Sequence, residues 1–246
     1  MSSSERERVG QDMDIKETLD RTFPRRPLMR ARNAYYTVVC NYYAQKNRLL
    51  DDGYGQWDRI EWVSPEEIRY ITYNDHHLDH GHGYLNAGAF NIITRAGARS
   101  GGRWDTKEIE FEELHIYTAV KQRYLDGCDW QDTRFFEEMV DSIESGDSPW
   151  GCTSIPDLWD RCEHIETLLE RIRTEGYRSQ RSLGKVPVDE VTVNIGRNGT
   201  LFFNDGRHRL TVAKVLNLDE IPVRVLVIHD DYDDCSDRRR GGLYSI

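Results

Sequence analysis

The chain has 246 residues and a formal net charge of −10, which argues against generic binding to nucleic acid because an acidic field repels the phosphate backbone. A mean hydropathy of −0.73, with no apolar run near the ~20 residues of a bilayer span, describes a soluble chain. Five scattered cysteines (Cys40, Cys128, Cys152, Cys162, Cys235) without C-x-x-C spacing indicate neither a zinc knuckle nor a disulfide framework, so buried reduced thiols are expected.

The first residues, Met1 to Arg8, lack the apolar core of a signal peptide, and a cytoplasmic protein is expected. Residues 1–20 mix charges and serines and read as a disordered tail or frayed helix. Residues 22–33 carry Arg25, Arg26, Arg30 and Arg32 with no acid among them. This basic segment fits a contact to nucleic acid or an acidic partner. It also fits an arm that pairs with the protein's own acidic surface, and this second reading is favoured because an arginine run without a motif carries little information.

From Pro27 to Leu50, Ala31, Tyr35, Val38 and Tyr42, with Ala34 and Val39, recur at three- and four-residue intervals, the period of an amphipathic helix. Tyr35, Tyr36, Tyr42 and Tyr43 have the chemistry to stack on bases, although packed tyrosines are commoner. Ser64-Pro65-Glu66-Glu67 predicts a short helix start. Residues 75–82 hold His76, His77, His80 and His82, good transition-metal ligands in a spacing that matches no structural site. Phe90 to Ile93 reads as a short strand. Helices follow at 107–125, 132–145 and 156–174, the last with Leu158, Cys162, Ile165, Leu169 and Ile172 alternating four and three apart.

The C-terminal part holds the most informative stretch. Two strands, Val191 to Ile195 and Thr200 to Phe203, flank Asn198-Gly199, a hairpin signal. Then come Asn204-Asp205-Gly206-Arg207-His208-Arg209, a short buried helix over 210–216, and a strand from Ile221 to Ile228. The order strand, loop, helix places the box at a helix N-terminus, where free N–H groups and the dipole favour anions. The alternative is structural: Asp205 caps the helix, Gly206 permits a tight turn, and Arg207 and Arg209 pair with carboxylates such as Asp219 or Glu220.

Gly176-Tyr177-Arg178-Ser179-Gln180, the box from Asp205 to Arg209, the helix after it and Ile221-Pro222-Val223 resemble the ParB/sulfiredoxin-like superfamily over residues 176–229. From about Trp104 the chain looks like a group of uncharacterised archaeal and viral proteins with such a domain. An α+β fold is expected: composition and periodicity give a disordered tail (1–20) and a mostly helical N-terminal part (21–150), and the resemblance implies a ParB/sulfiredoxin-like unit (151–246) with a small mixed β-sheet. Sulfiredoxin chemistry needs a cysteine where Arg207 stands, so the chain is not expected to be a sulfiredoxin reductase. Partition-type DNA binding needs a helix-turn-helix for which too little chain follows Arg209. The nearest branch is a free-serine kinase whose box resembles Asp-Gly-His-His-Arg.

The resemblance thus implies a nucleotide (ATP, ADP or CTP) or phosphorylated small molecule held by Gly206, Arg207, His208 and Arg209. Asp205 and His208 are the catalytic candidates, with Asp205 as a Mg²⁺ ligand. Any enzyme activity would be that of a Mg²⁺-dependent NTPase or small-molecule kinase. Glu175 and Glu190 are candidates for its general base. The competing expectation is a non-catalytic DNA-associated or protein-interaction module using residues 22–33.

Overall fold

The computed structural model describes residues 25–50, 53–72 and 90–233. The histidine-rich segment 75–82 and the expected tail 1–20 lie outside them, as do the side chains of Arg25 and Arg26. Among the described residues five α-helices and a six-stranded mixed sheet make an α+β fold: α1 (Arg25–Leu50), β1 (Ile60–Val63), β2 (Tyr70–Ile71), β3 (Ala98–Ser100), α2 (His115–Lys121), α3 (Arg134–Glu144), α4 (Ile155–Glu175), β4 (Val191–Ile195), β5 (Leu201–Asp205), α5 (Arg207–Val215) and β6 (Ile221–His229). Among the described residues no helix is long and apolar enough to cross a membrane.

The strand order is β1-β6-β4-β5-β2, with β3 also pairing β6. β4 and β5 form the expected antiparallel hairpin, while β6 runs parallel to β4 after crossing over through α5. Every residue of β6 is buried, as expected of a strand covered on both faces. On one face Val191, Val193, Phe203, Val223 and Val225 pack under α2 to α5. On the other, Phe202, Leu226 and Val227 meet Tyr36, Cys40 and Ala44 of α1, with Trp57 and Trp104. The neighbours Phe202 and Phe203 enter opposite cores because successive strand residues face opposite ways.

The sheet differs from the expected division at residue 150. Residues 60–100, expected in a mostly helical part, supply three strands, and β1 and β3 both pair with β6 near the C-terminus. The expected strand at 90–93 is a turn: the Asn91 side chain accepts the N–H groups of Ile93 and Thr94, a local bond that competes with pairing. The helix expected from Lys107 starts only at His115. Upstream, Ile71 N–H donates to the Ile109 carbonyl and Phe111 N–H to that of Arg69, so the sheet edge claims this backbone. Ser64 forms the capping box with Glu67, but the turn it starts is a 3₁₀ turn over Pro65–Glu67.

α3 and α4 follow their sequence signals closely. Thr133 caps α3 through Phe136 N–H, and Ser154 caps α4 through Asp157 N–H. The stripe Leu158, Cys162, Ile165, Leu169 and Ile172 is buried, and Gly176 ends α4 at φ +77°. Cys40, Cys152 and Cys162 are buried free thiols, and burial pushes the Cys162 thiol up to about 12.

Candidate functional site

The box sits where β5 ends and α5 begins. Gly206 is the N-cap of α5 at φ +89°, and a Cβ there would lie 2.9 Å from the Val191 Cα. Both the left-handed backbone and the close approach of β4 therefore require glycine. Asp205 accepts the Gly206 N–H through its own Oδ1 at 2.8 Å. It thus braces the turn next to it, and α5 has no side-chain cap bond. Among the described residues no group of three His, Cys, Asp or Glu side chains converges as a metal site would require.

Arg207 and Arg209 part company. Residues two apart on a helix do not share a face. Arg207 lies over the Trp150 ring, 4.8 Å from its centroid, a cation–π contact. His208 meets the edge of the same ring at 5.2 Å, and Phe135 stacks on it at 5.2 Å. Trp150 itself takes a left-handed backbone (φ 55°, ψ 28°), and its carbonyl accepts from Arg161 of α4. Burial, then the nearby Arg161 charge, brings the Arg207 guanidinium down to about 10, with Asp205 opposing; it stays a cation at neutral pH. Burial, followed by Arg207, Arg161 and Arg209, brings His208 down to about 3, so its imidazole is neutral. Its Nε2 is buried and has no hydrogen-bond partner among the described residues.

Arg209 points the other way, onto a cavity of about 20 Å³ that Arg171, Tyr177, Arg178 and Gln180 also line. Three guanidinium-bearing residues from α4, the loop after it and α5 converge there. Glu190, 2% exposed and within electrostatic reach of Arg209, is tied to this wall: its Oε1 accepts the Gln180 N–H at 2.5 Å. Burial raises its pKa, against the opposing effects of the backbone N–H bonds and Arg209. Its Oε2 and the Tyr177 hydroxyl are buried without a partner among the described residues. Burial pushes the Tyr177 phenol up to about 12, so it keeps its proton. A space of this size takes a single oxygen-sized atom, and Tyr177, whose hydroxyl has unmet hydrogen-bonding capacity, lines it.

The structure therefore brings together two stretches about thirty residues apart in sequence, Tyr177 to Gln180 and Arg209. Of the two candidate bases, Glu190 is buried and bonds the lining residue Gln180, whereas Glu175 is half exposed and 3.8 Å from Arg178. Asp205 and His208 lie on the Trp150 side or in the turn and do not line the cavity. Sequence reasoning missed Trp150, Arg161 and Arg171. Arg171 sits beside Ile172 of the apolar stripe of α4, so helical register alone pointed to it; nothing local marked Trp150. A larger, open concavity of about 650 Å³ lies elsewhere, along α1. Comparison of the chain with family models, with curated proteins and with solved structures returned no match.

Proposed function

We propose that the chain is a ParB/sulfiredoxin-like protein that binds a nucleotide or another phosphorylated small molecule at the cleft between α5 and the Tyr177–Gln180 loop. The observation that carries this reading is the convergence of Arg171, Arg178 and Arg209 on one small cavity in a protein of net charge −10. Glu190 beside Arg209 and the half-exposed Glu175, 3.8 Å from Arg178, offset only part of this set and leave room for an anionic ligand. A phosphoryl oxygen matches the cavity's size, and the fork of an arginine matches phosphate geometry. The rest of the ligand would lie outside, over the mouth.

In this reading Arg209, Arg178 and Arg171 hold phosphate oxygens, and the Tyr177 hydroxyl donates to the one that enters the cavity. Glu190, buried with a raised pKa, is the group for proton transfer if phosphoryl transfer or hydrolysis occurs. Arg207 over the Trp150 ring and His208 at its edge support the start of α5 from the far side. Any Mg²⁺ would be carried by the ligand's phosphates, because Asp205 braces the turn and does not line the cavity.

Thermal denaturation with ATP, ADP, CTP and GTP, each with and without Mg²⁺, tests the reading, since a ligand of the folded state alone raises Tm. At least one nucleotide is expected to raise Tm in the wild type and to lose that effect in Arg178→Ala/Arg209→Ala. An unchanged Tm across the panel, or a shift that persists in the double variant, rejects it.

A further inference from the structure

Helix α1 has two apolar faces and buries only one. Tyr36, Cys40, Ala44 and Asn47 are buried against the sheet. On the opposite face Tyr35, Val38, Tyr42 and Leu49 are 54%, 68%, 61% and 82% exposed. They are spaced three, four and seven apart, and Gln45 occupies the place that completes the seam of a seven-residue repeat. Val38, Tyr42, Leu49 and Leu50 line the open concavity of about 650 Å³ along this helix. Exposed apolar side chains in such a continuous row mark an interaction surface.

Charge identifies what fits the row. α1 carries six basic residues and no acidic one, and no charged residue lies between Arg32 and Lys46. A second copy of α1 is disfavoured in either direction. Parallel pairing sets Arg30 against Arg30 and Lys46 against Lys46. Antiparallel pairing brings Arg30 toward Lys46 and Arg48, while Arg32 is already paired with Asp189. Nucleic acid suits the basic ends, but Val38, Leu49 and Leu50 neither stack on bases nor bond phosphate. A helix with its own apolar stripe flanked by Asp and Glu satisfies both features, laying its stripe into the row and its acids against Lys46 and Arg48. The acidic remainder of the chain repels such a partner elsewhere and so directs it to α1. We propose that this face of α1 is the docking surface for an acidic amphipathic helix of a partner protein.

The test uses the full chain and two fluorescein-labelled synthetic helical peptides of three heptads, with Leu at the seam positions and either Glu or Lys at the flanking ones, read by anisotropy. The Glu peptide is expected to bind and the Lys peptide not. Val38→Asp/Leu49→Asp and Lys46→Glu/Arg48→Glu are each expected to weaken the Glu peptide by about tenfold or more. These positions are exposed, so an unchanged circular dichroism melt is expected to accompany the loss. Failure of the Glu peptide to bind, equal binding of both peptides, or full binding by either variant overturns the proposal. So does tight duplex DNA binding or a concentration-dependent dimer in sedimentation, if Val38→Asp/Leu49→Asp abolishes it.

Discussion

At the scale of single residues, Gly206 has the clearest requirement. Gly206→Ala meets both a left-handed backbone and the Val191 Cα, and is expected to cost about 1–3 kcal/mol in urea denaturation. A cost within error of zero would show that the turn relaxes. His208 makes a pH-dependent contribution whose sign follows from its lowered pKa. The unfolded histidine binds a proton near pH 6.5, and the folded one does so only near 3. The unfolded state therefore gains protons first, and this contribution is complete above pH 6.5 and lost as pH falls below it. One proton limits the slope to about 1.4 kcal/mol per pH unit. Wild type and His208→Asn, unfolded in urea from pH 7 to about 5, where most carboxylates remain charged, should differ in slope, with the variant flatter; parallel curves would contradict the buried neutral imidazole.

Asp105 behaves in the opposite chemical sense with the same outcome in acid. Burial would raise its pKa, but the hydrogen bonds from the Arg197 side chain and N–H outweigh this and hold it below 3.8. Its side chain is 2% exposed and sits 2.8 Å from Arg197 Nη2, with His229 alongside. The stabilisation is present above pH 3.8 and lost as pH falls through the lower folded value. Because Arg197 remains partly exposed, Asp105→Asn is expected to cost about 2–3 kcal/mol at neutral pH. Equal stability of variant and wild type would remove the ion pair from the account.

At the scale of elements, the sequence was legible where a local signal and the tertiary demand agree. Ser154, Pro156, the stripe from Leu158 to Ile172 and Gly176 all specify α4, and the structure uses each of them. The hairpin of β4 and β5, the box turn and β6 were equally readable. Phe90 to Ile93 was misread because an apolar run alone does not specify a strand, and the Asn91 side chain closes a turn instead. The start of α2 was misread because pairing of residues 109–111 with 69–71 spans some forty residues and leaves no periodic trace. The candidate site divides in the same way. Gly206 and Arg209 were readable from the box, but the separation of Arg207 from Arg209 follows from helix geometry, and Trp150 and Arg171 reach the box region only through the packing of α4 and the turn before it.

For the whole molecule, the sheet makes the chain one structural unit. β6 lies between β4 on one side and β1 and β3 on the other, so it joins strands about ninety to one hundred and thirty residues apart in sequence. A fragment comprising residues 151–246 would expose that edge of β6 and the face that α1 covers. It is expected to aggregate or to melt without cooperativity, as judged by amide dispersion and circular dichroism. A well-dispersed spectrum and a sharp transition would instead show an autonomous domain.

The arginine-lined cleft is proposed to take a phosphate-bearing ligand. Calorimetric titration of the most stabilising nucleotide into wild type and Arg178→Ala/Arg209→Ala tests it most directly. Saturable binding by the wild type, weakened about tenfold or more in the variant, is the predicted result. The absence of binding, or the same Kd in both proteins, would contradict it.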